Sequence, residues 1–142
     1  MKQKVLFVCT GNRARSQMGE GLLRHIADGR FDVFSAGTIP SGLAGETIEV
    51  MREIGIDVSG QKSQHVDEFA RVAFDYVITV CDEAAEVCPV FPGGGERIHW
   101  SVEDPSDTYA RGDTLIEAFR VARDDLRRRI EEFVAETDAA AR

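Results

Sequence analysis

The chain has 142 residues, 43% of them apolar, three cysteines and a formal net charge of −8. That length suits one domain, residues 1–142, around one core. No apolar run nears the roughly 20 residues that span a bilayer, and the apolar run at 5–8 is too short for a secretory signal. A cytoplasmic protein without membrane contact is therefore expected. In that compartment three cysteines read as buried, metal-binding or redox-active thiols, not as a disulfide framework. The acidity argues against nucleic acid as a partner, and it makes Arg13 and Arg15 stand out in one short loop.

Residues 3–9 are apolar and β-prone, as a strand buried on both faces should be. Residues 15–27 set Met18, Leu22, Leu23 and Ile26 at helical spacing. A second strand is predicted over 31–36, closed by Gly37, then a loop at 42–45. A second helix is predicted over 46–54, with Gly55 as its stop. Residues 57–64 are polar and irregular, and 65–72 suggest a short helix. A third strand is predicted over 74–80, ending at Cys81. Residues 82–87 suit a short helix or a loop, with Pro89 and Pro92 bracketing the exit and a glycine turn at 93–95. A fourth strand over 97–100 precedes a long helix over 113–134, with Leu115, Phe119, Ala122, Leu126, Ile130 and Phe133 on its inner stripe. Residues 137–142 are expected to fray.

This alternation predicts an α/β fold, a parallel sheet with helices on both faces. Ligands bind such folds beyond the carboxyl ends of the strands. Cys9 and Cys81 both fall at strand ends, and Asp104 follows the fourth strand, so all three belong to one edge. Around Cys9 the chain reads Thr10, Gly11, Asn12, Arg13, Ala14, Arg15, Ser16. A tight loop running into a helix N-terminus turns backbone N–H groups toward a tetrahedral oxyanion. Arg15 adds a forked charge that matches two of its oxygens. The same field favours a thiolate at Cys9, which makes it a nucleophile. A cation at a helix N-terminus opposes the helix dipole, and that unfavourable placement itself suggests a nearby anion. Arg13 reads equally well as a solvated loop charge. Asp104 before Pro105 could simply shape a turn. His99 reads as a structural histidine, and His25 and His65 as surface or boundary residues.

The segment from Cys9 to Ser16 has the cysteine, five residues, arginine, serine pattern of the low-molecular-weight tyrosine phosphatase fold, and Asp104-Pro105 looks like its general-acid motif. Ser16-Gln17-Met18-Gly19-Glu20, Ser35-Ala36-Gly37, Val80-Cys81-Asp82, Cys88-Pro89 and the block from His99 to Pro105 resemble more closely the thioredoxin-coupled arsenate reductases of that fold. The resemblance implies a three-layer sandwich with a four-stranded parallel sheet in the order 2-1-3-4. It implies arsenate as substrate, with phosphate and sulfate as analogues. It implies Cys9, Arg15, Cys81, Cys88 and Asp104 as the catalytic set, with residues 10–16 binding the oxyanion. It implies thioredoxin as electron donor, no bound cofactor and no catalytic metal; nothing in the chain demands more than a monomer. If the third strand neighbours the first, Cys9 and Cys81 lie about 5 Å apart, within the roughly 4.4–6.8 Å a disulfide needs. Cys81 and Cys88 are too far apart for a bridge if the seven-residue step between them is straight helix, roughly 10 Å, so residues 82–87 must then unwind.

Two other functions compete. A tyrosine phosphatase would share the first step, but Ser106-Asp107 follows Pro105 where an aromatic pair usually flanks the substrate ring, and only Trp100 and Tyr109 could replace it. A thiol redox sensor or metal-binding module would use the same cysteines, at a spacing poor for zinc. Some relatives hold potassium with an asparagine, a glutamate and a serine that match Asn12, Glu20 and Ser35. Lys62 and Gln64 occupy the region of the remaining ligands, where a lysine ammonium could replace the ion, so potassium independence is expected.

Overall fold

The computed structural model describes residues 2–82, 91, 95–106 and 113–140. Four strands, β1 (Gln3–Cys9), β2 (Phe31–Gly37), β3 (Tyr76–Val80) and β4 (Glu96–Trp100), form one parallel sheet in the order β2-β1-β3-β4. The order matches the one that the resemblance implies. β1 lies inside the sheet, between β2 and β3, so both of its faces must be dry; residues Val5, Leu6, Phe7 and Val8 are fully buried.

Three helices, α1 (Arg15–Ile26), α2 (Gly45–Arg52) and α3 (Asp113–Ala140), share one core with one face of the sheet. There Val5, Phe7 and Ile78 meet Met18, Leu22 and Leu126. Side chains alternate along a strand, so Leu6, Val8 and Val77 face the other way. They pack on a 3-10 turn at Val66–Phe69 and on Phe74 and Phe91. Phe74 makes edge contacts with Phe34, at 5.7 Å, and with Phe91, at 5.9 Å. The helical layers are thus unequal, three long elements against one short turn among the described residues.

Most element ends fall within two residues of expectation, and the exceptions have physical causes. α2 stops at Arg52; Ile56 N–H then bonds back to Met51 O at 3.0 Å and Gly55 N–H to Arg52 O at 3.0 Å, with Gly55 at φ +80°. That is a glycine C-terminal cap. The predicted helix at 65–72 shrinks to the 3-10 turn, capped by the His65 ring, whose Nδ1 accepts from Asp67 N–H at 3.0 Å. α3 runs to Ala140, so the expected fraying from 137 is wrong for the described part of that tail. Arg30 explains this. Its guanidinium donates to Thr137 Oγ1 at 2.6 Å and lies 3.6 Å from Asp138, tying the last turns to the start of β2. All but the first residue of the expected helix or loop at 82–87, with Pro89, Pro92, Tyr109 and the last two residues, lie outside the described residues, as does Cys88.

α2 and α3 are joined by an ion cluster. Glu53 accepts from Arg120 at 2.7 Å and from Arg123 at 2.7 Å. The Arg120 hydrogen bonds foremost, then those from Arg123 against a partial desolvation penalty, hold its carboxyl at about 2, against 4.5 for a free glutamate. A depressed acid stabilises the fold above its unfolded value and loses that contribution as pH falls through the folded one. Urea melts of the parent should therefore weaken between pH 4.5 and 2, and Glu53→Gln should weaken less over the same window.

Candidate active site

The loop after β1 makes a cradle because its carbonyls are all occupied elsewhere. Thr10 O accepts from Ile39 N–H at 2.9 Å and Gly11 O from Ser41 N–H at 3.0 Å. Asn12 O accepts from Gln17 Nε2 at 3.1 Å, Arg13 O from Thr47 Oγ1 at 3.0 Å, and Ala14 O from Met18 N–H at 2.8 Å. Peptide units are planar, and N–H points opposite to C=O. Five carbonyls turned outward therefore turn the N–H groups of residues 11–15 inward, beside Cys9. Asn12 makes the bend possible with φ 45°, a left-handed conformation that asparagine tolerates better than most residues. Ala14 caps α1 without any side-chain bond and no acid sits in the first turn, so the dipole there is not neutralised by the helix itself.

A cavity of about 270 Å³ opens over this loop, walled by Cys9, Arg13, Ala14, Arg15, Ile39 and Asp104 among others. Arg15 is 2% exposed; its Nη1 donates to Val102 O at 3.0 Å and its Nη2 lies 3.5 Å from Asp104 Oδ2. The guanidinium is thus clamped between the loop and the segment after β4. Arg13, whose role was open, borders the same cavity.

Asn12 and Ser16, grouped by sequence with the oxyanion loop, also contact the sulfur itself, and both are fully buried. Asn12 N–H points at Cys9 Sγ from 3.2 Å, and Ser16 Oγ lies 2.8 Å from it. The direction of the second bond follows from the neighbours. Gln64 N–H can only donate, and it meets Asn12 Oδ1 at 2.7 Å. Asn12 Nδ2 must then donate to Ser16 Oγ, at 2.8 Å, and to Ser35 Oγ, at 3.0 Å. The single hydroxyl proton of Ser16 is left for the sulfur. Ser35 in turn donates to Glu20 at 2.6 Å.

The cation on Glu20 is Arg24, at 2.8 Å, where sequence reasoning offered Lys62; Lys62 contributes its backbone carbonyl, which accepts from Gln17 at 2.9 Å. These residues do not fit a resident potassium ion: Asn12 Oδ1 is taken by Gln64 N–H, and Glu20 Oε2 is paired with the Arg24 guanidinium. Among the described residues no group of three or more His, Cys, Asp or Glu side chains could hold a metal.

Sequence reasoning missed Gln17 and Gln61 as site supports. Gln61 donates to Gln17 Oε1 at 2.8 Å and so aims the Gln17 amide at the loop. The available signal was a glutamine beside Met18 on the inner stripe of α1. It also missed Ser106, which lines the cavity. His99 Nδ1 lies 2.9 Å from Thr79 Oγ1. Trp100, a candidate for the pocket, packs in the core 6.2 Å from Phe7.

β3 does neighbour β1, but the register pairs Val8 with Thr79. Cys9 is therefore level with Val80, and Cys81 lies one residue further out than a side-by-side pairing would put it. Cys81 is disulfide-bonded and Cys9 carries a free thiol.

A free sulfur at a strand end, backbone amides turned toward it, and an arginine and a carboxylate in one cavity make a candidate cysteine-centred oxyanion site on a parallel α/β sheet. The chain belongs to the low molecular weight phosphotyrosine protein phosphatase family, whose pattern it matches over residues 4–142. It is 40% identical over 136 residues to the arsenate reductase of Halalkalibacterium halodurans, covering 96% of this chain and 97% of that one. Its fold superposes on a solved arsenate reductase in the phosphate-binding state with a TM-score of 0.78 and 33% identity, covering 94% of this chain and 98% of that one. The thioredoxin-dependent arsenate reductase of Corynebacterium glutamicum superposes with a TM-score of 0.67 and 27% identity, over 96% of this chain and 63% of that one.

Proposed function

We propose that this protein reduces arsenate to arsenite, with Cys9 as nucleophile, Cys81 and then Cys88 as resolving thiols, and thioredoxin as the reductant. The observation that carries the reading is the pairing of a free Cys9 under an anion cradle with a bonded Cys81 in a chain of three cysteines. A bridge that spares the nucleophile is the state such a relay reaches before its reductant acts. The arsenate reductases of similar sequence and fold, one of them thioredoxin-dependent, support the same chemistry.

The steps balance. Arsenate enters the cradle, held by the N–H groups of the loop and by Arg15. Cys9 sulfur attacks arsenic, forming S–As as one As–O bond breaks. Asp104 protonates the departing oxygen, which leaves as water. Cys81 then attacks Cys9 sulfur, forming S–S as S–As breaks; the bonding pair stays on arsenic, which leaves as arsenite. Cys88 attacks Cys81, the new bridge is Cys81–Cys88, and Cys9 is released as thiolate. Thioredoxin returns two electrons and two protons. Hydrolysis of small aryl phosphates is expected as a slow side reaction, since it shares the first attack.

We read the protein as a cytoplasmic monomer without nucleic-acid or membrane partners, in keeping with its net charge of −8; no described helix is long and apolar enough to cross a membrane. Purified protein with arsenate, thioredoxin, thioredoxin reductase and NADPH should consume one NADPH per arsenite formed. The rate should be the same in potassium and sodium salts. NADPH consumption that ignores arsenate would end this reading.

A further inference from the structure

We infer that Ser106 is a positioning residue for Asp104, assigning the acid proton to the carboxyl oxygen beside Arg15. The inference rests on the general-acid role of Asp104 in the proposed function. Ser106 holds Asp104 with two donors on one atom: its backbone N–H reaches Oδ1 at 3.0 Å and its hydroxyl reaches Oδ1 at 2.7 Å. The other oxygen, Oδ2, lies 3.5 Å from Arg15 Nη2. Both residues border the cavity that contains Cys9.

Oδ1 accepts two hydrogen bonds, and protonating it would forfeit at least one of them, whereas Oδ2 meets Arg15 only at 3.5 Å. The proton of the neutral acid therefore resides on Oδ2, the oxygen next to the arginine that grips the substrate. Asp104 is 30% exposed, so packing alone does not fix its rotamer. Pro105 limits the backbone between the two residues, and the serine hydroxyl supplies the remaining constraint. The backbone N–H would survive any substitution of Ser106 other than proline. The hydroxyl is the part that the side chain adds, and an alanine would allow the carboxyl to turn and offer either oxygen. A general acid works only within hydrogen-bond reach of the atom it protonates, so the orientation acts on the chemical step and not on binding.

The test is single-turnover arsenite formation, with enzyme in excess over arsenate, in the parent, Ser106→Ala, Ser106→Thr, Asp104→Asn and the Asp104→Asn/Ser106→Ala double variant. Ser106→Ala should slow the step about five- to tenfold, the worth of one net hydrogen bond, with the enzyme concentration for half-saturation unchanged within about twofold. Ser106→Thr, which keeps a hydroxyl, should return to within about twofold of the parent. In the Asp104→Asn background the alanine should have no further effect, since residues acting through one group are not additive. An equal loss in both backgrounds, or a Ser106→Ala rate equal to the parent while Asp104→Asn is slow, overturns the inference alone. A parental rate in Asp104→Asn overturns the general-acid reading and the inference together.

Discussion

Cys88→Ser should release one arsenite per enzyme molecule and then stop when thioredoxin is the only reductant. In the proposed relay Cys9 and Cys81 complete the chemistry on arsenic, so the first turnover would need no third sulfur. The second turnover would. On that relay the product bridge joins Cys9 to Cys81, and Cys9 would stay locked until another thiol attacked Cys81. Cys9 is 2% exposed in the wall of its cavity, a poor target for a thioredoxin-sized attacker. Exchange requires access to the sulfur as well as a thiolate. A bridge moved away from Cys9 solves that problem, and the structure has Cys81 bonded with Cys9 free. Arsenite counted against enzyme should therefore level at one equivalent in the variant, and peptide mapping of the arrested protein should recover a Cys9–Cys81 link. Cys81→Ser should release none. Sustained turnover by Cys88→Ser at the parental rate would remove the third cysteine from the mechanism.

The placement of much of the candidate site was legible because its residues are local in sequence. A β-run ending at Cys9, a bend at Gly11-Asn12 and a helix beginning at Arg15 lie close together along the chain, and strand-then-helix geometry puts such a loop at the binding edge. Asp104 was legible for a second reason, its place after a strand on that same edge. What escaped depended on contacts distant along the chain. Ser35 and Gln64 orient Asn12 from 23 and 52 residues away, and neither has a local signature. The end of α3 was misjudged because Arg30, 107 residues before Thr137, supplies the anchor. The start of β3 was set two residues early because Phe74 is apolar for another purpose, filling the second core beside Phe34 and Phe69. Lys62 was offered as a replacement for the ion, when helical spacing already put Arg24 four residues after Glu20, within reach of an i, i+4 pair.

Gly37 is the position where the smallest change should do the most damage without touching a reactive group. It ends β2, level with Cys9 in the register, and its N–H is fixed to Gln64 O at 2.8 Å. A β-carbon added there would stand 2.5 Å from Thr10 O, 2.8 Å from Asn12 N and 3.0 Å from Asn12 Cβ. The first two are backbone atoms of the cradle. Thr10 O is held by Ile39 N–H, and Asn12 N–H is the group that faces Cys9 Sγ. Neither side can yield alone: moving Gly37 breaks its bond to Gln64, whose own N–H orients Asn12, and moving the loop swings the amides away from the anion. Gly37→Ala should thus cost about 1–3 kcal/mol of stability, typical of overpacking a tight site. It should also lower kcat/KM for arsenate by about tenfold or more, the equivalent of one lost charge-assisted hydrogen bond, and weaken phosphate inhibition in parallel, since both anions use the same amides. Gly45→Ala is the matched control: nothing lies within 4 Å of its added carbon, it sits in the first turn of α2, and alanine favours helix over glycine. That variant should melt no lower than the parent and turn over at its rate. If Gly37→Ala binds phosphate as tightly as the control does, the cradle is not held by this contact.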